Sequence, residues 1–417
     1  MMMKEVFKKF RIQEEAELLC YFEKVFNLRA INKLLSFKSE EREDRSLPFY
    51  MRGYYLPIYQ EFGGALYDNC RKTSEKLGFA ENNIEFYVSN DPNFNSSSIA
   101  SRKKDIPHIV IINRGLIERV NPEELSFVIG HEIGHLVYQH ADVTEVFRFV
   151  YPNYENLPPI LQKLYEFWSQ LGEISADRIG YLASRNLEAS TRALFKLSSG
   201  IDEKNFNLSH ENITNIAERT FNEMQSHPSH VSATHPANPI RIKALAALHR
   251  SELIKTVDAG GEIVADKKLN EEIDEIVKIL RKVPFNDREW AELDFVGSAG
   301  MLIMMADKEI NATEHNYLIN ILSRYIHWPP AYLEHGFDQE KPVDKMKGAA
   351  KWIIENCPWR TRDLLKQLFP IIIRDQVIHD TELNTFMKIG IEELKVPSSE
   401  IIDVFLEGTK KWYSPLG

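Results

Sequence analysis

Asn121-Pro122-Glu123-Glu124-Leu125-Ser126-Phe127-Val128-Ile129-Gly130-His131-Glu132-Ile133-Gly134-His135 is the stretch on which the reading of this chain turns. It opens as a helix start. Asn121 suits the N-cap, Pro122 the first helical position, and Glu124 the place from which a carboxylate returns to the cap. Leu125, Phe127, Val128, Ile129, Leu136 and Val137 give the helix a core-like character. On a helix, residues four apart share a face, so the imidazoles of His131 and His135 reach one metal ion. Glu132 flanks that face, within touch of a water on the ion. Zinc in such a site makes the water acidic and polarises a carbonyl. Glu132 is then the general base, which later returns the proton to a leaving amine.

An open zinc site needs a third protein ligand. A Gly three residues after His135 and a His six after would supply one, but the chain has Tyr138 and Ala141 there. His140 falls off the metal-facing stripe of a continuing helix and is a poor ligand. Glu173, in Gly172-Glu173-Ile174-Ser175-Ala176-Asp177, is the better candidate. Glu173 and Asp177 again share one helical face. Glu173 completes a His-His-Glu set, and Asp177 can accept the non-metal N–H of a ligating histidine, fixing its tautomer. An exposed acidic face is the competing account; the apolar, small-residue run from Trp168 to Ile179 speaks against it.

Outward from this core, the chain has 417 residues, which at about 150 per domain predicts two to three domains. It is 43% hydrophobic and 27% charged, which excludes a disordered or fibrous protein. With 51 basic and 61 acidic residues the formal charge is −10, so no general attraction to nucleic acid is expected. Cys20, Cys70 and Cys357 lie far apart and read as thiols of a reducing compartment. The charged N-terminus lacks the pattern of a secretory signal, and the best apolar run, Phe295 to Ala306, is too short to span a membrane. The expectation is a cytoplasmic protein without a membrane span.

Residues 1–60 read as a charged, helical extension. The convincing β signal follows: Ile84–Val88 is one strand, Asn95–Ala100 a small-polar candidate, and His108–Ile112 a β-branched run. The last two are expected to form a hairpin. Phe147, Phe149, Tyr151 and Tyr154, in a Pro-broken stretch between the ligand helices, read as a lid over a cleft or as a cover for the core, with the lid preferred. The pattern breaks near residues 260–270, and the remainder is helical. The expected fold class is thus α+β, mostly α: a zincin-like domain with a small sheet over residues 60–265, then an all-α domain over 270–417.

His-Glu-x-x-His followed by Glu-x-x-Ala-Asp resembles the M48 family of zinc metallopeptidases. Two further segments, in the right order, agree with it. Asn93–Ala100 with His108–Leu116 is similar to the family's edge-strand hairpin, and Thr234-His235-Pro236-Ala237-Asn238-Pro239-Ile240-Arg241-Ile242 to its H-P-x-x-x-x-R-I segment. The resemblance, over roughly residues 60–255, implies one zinc ion held by His131, His135 and Glu173, with Glu132 as base. It puts His235 and Arg241 near the active site. There they serve to stabilise an oxyanion, or His235 ligates zinc in a closed resting state, or the pair is a helix cap with a structural arginine. The edge strand suggests that Asn95, Ser96, Ser97 and Ser98 bind an extended peptide as an added strand; a plain loop fits the composition equally.

Ala306–Glu314 and Arg374–Glu382 share D-x-x-I-x-x-T-E, 68 residues apart. This duplicated unit resembles the TerB-like helical domain, which implies a stress-linked role, with a regulatory protein partner on residues 270–417. Asn311 with Glu314 reads as a capping box, and Asp380 as a cap for the helix after it. The overall expectation is a zinc-dependent endopeptidase acting on protein or peptide substrates under control of a helical module. The alternative is a latent or inactive zinc-stabilised sensor acting through that module.

Overall fold

The zinc-ligand helix expected from the sequence sits behind a four-stranded sheet whose edge faces the predicted cleft. The computed structural model describes residues 2–41, 46–102, 106–153, 157–200, 209–226, 235–261, 264–281, 284, 286–306, 312–336, 341–373 and 378–413. The chain divides into two compact units, residues 1–156 with 165–280, and residues 157–164 with 281–417. Thr234, Tyr154, and the central parts of the duplicated motif at 307–311 (with the Asn311 cap) and 374–377 lie outside the described residues.

The first unit begins with four helices, α1 (Met2–Phe10), α2 (Gln13–Phe26), α3 (Leu28–Glu41) and α4 (Ser46–Tyr54). Then come β1 (Leu56–Pro57), α5 (Gln60–Lys76), β2 (Ile84–Ser89), β3 (Ser96–Ile99), β4 (His108–Asn113) and the short α6 (Arg114–Ile117). The sheet order is β1-β2-β4-β3. β2 and β4 run parallel, with Ile84 opposite His108. β3 pairs antiparallel with β4, Ser96 opposite Ile112, so the expected hairpin is present and β3 is an edge strand. The β-branched residues Ile109, Val110 and Ile112 of β4 are buried, as a strand flanked on both sides in a mixed sheet requires.

Helix α7 (Pro122–Tyr138) carries the His-Glu-x-x-His motif, followed by α8 (His140–Val150) and α9 (Pro159–Ser184). The start of α7 follows the sequence signals. Asn121 accepts from the amides of Glu123 and Glu124, and Glu124 accepts from the amide of Asn121 at 3.0 Å. Glu124 is also buried against Lys196 of α10 (Leu187–Ser199). The unit closes with α11 (His210–Ser226), α12 (Asn238–Arg250), α13 (Glu252–Asp258) and α14 (Lys267–Val277). α14 packs on α12 through Ile273, Ile276 and Val277, which carries this unit to residue 280.

The N-terminal helices pack against the back of the ligand helices. Tyr138 Oη donates to the Phe7 carbonyl at 2.9 Å, and the Ile12 amide donates to Ser175 Oγ at 3.0 Å. Phe22 meets Phe147 and Trp168 edge to face. Phe147 is buried against Phe22 and Phe26, which makes it part of the core cover, while Phe149 is exposed.

The second unit is helical throughout its described residues: α15 (Asp287–Met304), α16 (Ala312–Leu322), α17 (Pro329–His335), α18 (Pro342–Asn356), α19 (Thr361–Ile373), α20 (Asp380–Lys388) and α21 (Ser398–Tyr413). α15 is its hub, burying Leu293, Phe295, Val296, Ala299 and Ile303 against α18 and α19. Glu292 is buried in that hub and accepts from Arg360 and from Tyr325 Oη. Glu314 and Glu382, the last residues of the two motif copies, are both buried in the first turns of α16 and α20. Asp380 is not a cap: the N-cap of α20 is His379, and Asp380 is its first helical residue.

Candidate metal centre

Two helices can bring ligands together only if their backbones approach closely, and small residues permit that here. A Cβ on Gly134 of α7 would lie 2.8 Å from Ala176 Cα of α9, and one on Gly130 would lie 2.9 Å from Gly180 Cα. The Gly130–Gly134 row therefore rests directly on the Ala176–Gly180 row. His131 and His135, one residue further round α7, then face Glu173 and Asp177, one row further round α9.

The predicted ligands converge. One ligand atom from each of His131, His135 and Glu173 lies within 4.8 Å of the others. His131 Nε2 and His135 Nε2 are 3.1 Å apart. Glu173 offers Oε2 to His131 Nε2 at 3.6 Å and Oε1 to His135 Nε2 at 3.5 Å. The other ring nitrogens are already engaged: His131 Nδ1 lies 2.9 Å from Asp177 Oδ1, and His135 Nδ1 lies 2.7 Å from His140 Nδ1. Two imidazole nitrogens and one carboxylate, turned toward a common point with their outer nitrogens tied back, fit a zinc ion.

The electrostatics agree with a cation there. Burial opposes protonation of His131, but the hydrogen bond and charge of Asp177, together with Glu173, outweigh it and raise its pKa. The same negative charges favour a metal at Nε2. Burial, then His131 and His140, push His135 well below the usual imidazole value, so it is neutral, as a ligand must be. Glu132 is buried, and this raises its pKa against the opposing influence of His131, Ser96 and Ser98.

The site opens into a cavity of about 970 Å³ lined along one side by Asn95, Ser96, Ser97 and Ser98 and elsewhere by His235 and Arg241. Ser96 Oγ donates to Glu132 Oε1 at 2.6 Å, which ties the edge strand to the predicted base. His235 Nε2 lies 3.4 Å from Glu173 Oε1 with its side chain largely exposed, at the mouth of the ligand cluster. Arg241 reaches into the cluster and grips Asp177, with Nη2 also 3.5 Å from Glu173 Oε2. Its Nε and Nη2 donate to Asp177 at 2.7 and 2.6 Å, and both partners are buried. A bidentate pair of this kind fixes orientation; burial opposes ionising Asp177, but Arg241 and His131 hold its pKa below the ordinary value.

His140 was not expected at the site. The expectation followed a helix that continues past His135, but α7 stops at Tyr138. Gln139 adopts a left-handed conformation, φ 57°, and His140 begins a new helix with its ring turned back on His135. Its Nε2 lies 3.0 Å from Glu15 Oε1 of α2. Burial opposes ionisation of Glu15, but His140 and Arg11 outweigh it and hold its carboxyl down at about 2. A single residue of positive φ without glycine leaves no sequence signal for this turn.

With this geometry established, comparison with known proteins gives one match. Residues 65–152 match peptidase family M48. That interval runs from within α5 through β2, β3, β4 and α7 to just past α8, and it supports a metallopeptidase-type enzyme at the family level. No curated protein and no solved structure matches the chain. Among the described residues, no helix is long and apolar enough to cross a membrane.

Proposed function

We propose that this protein is a zinc-dependent endopeptidase that hydrolyses peptide bonds with water, without an acyl-enzyme. The observation that carries the reading is the convergence of His131 Nε2, His135 Nε2 and Glu173 on one point beside a buried Glu132. The ion, when bound, supplies Lewis acidity, lowering the pKa of a water and polarising the scissile carbonyl.

Everything else falls to the chain's own residues. Glu132 takes the proton from the attacking water and returns it to the leaving nitrogen. Its raised pKa suits both halves of that cycle, and Ser96 holds its carboxylate in place. Asp177, clamped by Arg241, holds the His131 tautomer that presents Nε2. A substrate in extended form adds to the outer edge of β3, at Asn95 to Ser98, which brings its backbone along the wall of the cavity. His235, at the mouth, is the residue to stabilise the oxyanion or to complete the coordination in a resting state. Arg241 acts through Asp177. The TerB-like residues 270–417 carry regulation through a protein partner, and the protein works in the cytoplasm; the acidic charge of −10 gives no support for a nucleic-acid substrate.

Zinc content and casein cleavage, measured side by side for wild type and Glu132→Gln, test the proposal. One zinc in each and cleavage by wild type alone is the expected result. Absence of zinc from wild type, or equal cleavage by the variant, sinks it. If both hold zinc and neither cleaves, the zinc-stabilised sensor replaces the peptidase, and His235→Ala then asks whether the resting site is merely closed.

A further inference from the structure

Glu15 is fully buried, comes from the second helix of the chain, and takes no part in the reaction above. It is nonetheless joined to the metal centre by two hydrogen bonds in series. A His135 that offers Nε2 to a metal carries its proton on Nδ1. That N–H donates to His140 Nδ1, 2.7 Å away. His140 then carries its own proton on Nε2, which donates to Glu15 Oε1 at 3.0 Å. Only this pair of tautomers makes both contacts hydrogen bonds.

The far end of the series is rigid. Arg11 Nε and Nη2 donate to Glu15 Oε1 at 2.9 and 2.6 Å. Ser175 Oγ donates to Oε2 and accepts the Ile12 amide, so the carboxylate is pinned between α2 and α9. Room for the His140 ring is provided by Gly172, where a Cβ would stand 3.2 Å from ring atoms, and the ring stands edge-on to Trp168 at 5.4 Å.

We infer that Glu15 is a positioning residue of the metal centre: acting through His140, it fixes the tautomer and ring plane of His135, so that α2 is part of the metal-holding apparatus. His131 has its carboxylate directly, in Asp177; His135 has one at a remove, from 120 residues upstream. This inference rests on the zinc-ligand reading proposed above.

Zinc affinity, measured by competition with a chromogenic chelator, tests it for wild type, Glu15→Gln, His140→Gln and the double variant. Each single variant is expected to bind zinc about ten- to a hundredfold more weakly, the usual cost of losing such a support. The double variant is expected to fall within a few-fold of the weaker single one, because the two residues act in one series. Independently of any variant's folding, 15N-histidine spectra of zinc-loaded wild type should show His140, assigned through its contact with Trp168, protonated on Nε2 and not on Nδ1. A Glu15→Gln protein that holds zinc within twofold of wild type overturns the inference, as does a His140 proton on Nδ1. Wild type that holds zinc while these fail sinks the inference alone. Wild type that holds no zinc removes the underlying reading and this one with it.

Discussion

Gly134 of α7 rests on Ala176 of α9 so closely that a methyl group on Gly134 would stand 2.8 Å from the Ala176 Cα. The neighbour is backbone and cannot swing aside. Gly134→Ala should therefore push the two ligand helices apart, at a cost of about 1–3 kcal/mol in stability. Because His131 and His135 lie on one helix and Glu173 on the other, zinc affinity should fall in parallel. Thermal melting and chelator competition on the same sample check this; an unchanged melting temperature would show that the contact is looser than described.

Arg241 offers a way to separate support from catalysis. Arg241→Lys keeps a positive charge in the cavity wall but loses the two-pronged grip on Asp177. If Arg241 works through Asp177, the variant loses zinc affinity, by about tenfold or more. If instead it meets substrate, zinc affinity stays and kcat falls. The first outcome is expected.

Glu124 and Lys196 form a buried ion pair at 2.8 Å, with Lys196 also donating to the Arg119 carbonyl. Removing Lys196 leaves the buried Glu124 with the longer ion-pair contact to Arg192 Nε, at 3.6 Å. Lys196→Met should cost about 3–5 kcal/mol, with the capped start of α7 loosened first. Adding Glu124→Gln should recover part of that loss. Urea denaturation of the two variants checks both statements, and a double variant less stable than Lys196→Met would count against the pairing.

Acid should strip stability through Glu15. Its folded pKa of about 2 lies below its ordinary value of 4.5. A depressed carboxylate stabilises the fold fully above the unfolded value, and that contribution drains as pH falls from about 4.5 toward 2. Glu15→Gln should therefore be less stable than wild type at pH 6, and the gap should narrow by pH 3. Urea midpoints of the metal-stripped proteins at the two pH values measure it. A gap of constant size would assign the loss to packing and not to charge.

How much of this was legible beforehand depended on whether the signal was local. Asn121, Pro122 and Glu124 announce a helix start because each acts within one turn, and the structure has that cap. His131 with His135, and Glu173 with Asp177, are legible because the helical period alone puts each pair on one face. The β3–β4 hairpin followed from a β-branched run beside a polar one. The parallel pairing of β2 with β4 did not, since nothing in either strand names a partner across the intervening chain. β1 is two residues long and leaves no pattern. His140 is not among the converging ligand atoms, but its contact with His135 was not foreseen, because helical periodicity was carried past Gln139, whose left-handed backbone has no compositional mark. Arg241 was legible as a neighbour of the site but not as the partner of Asp177, because a guanidinium serves either role from the same distance. The reading of residues 1–60 as an extension likewise missed Glu15: a carboxylate on an amphipathic helix looks solvated until its partner, 125 residues on, is known.

The pairing of Arg241 with Asp177 also bears on timing. The candidate ligands are complete once Glu173 has been made, yet Asp177, the carboxylate beside His131, stays unclamped until a residue 64 positions later joins it. During synthesis, a chain that has emerged only as far as α11 carries the candidate ligand set without the Arg241–Asp177 contact. Bracing of His131 through Asp177 therefore waits on a contact between α9 and α12, distant in sequence, of the kind that forms late in folding.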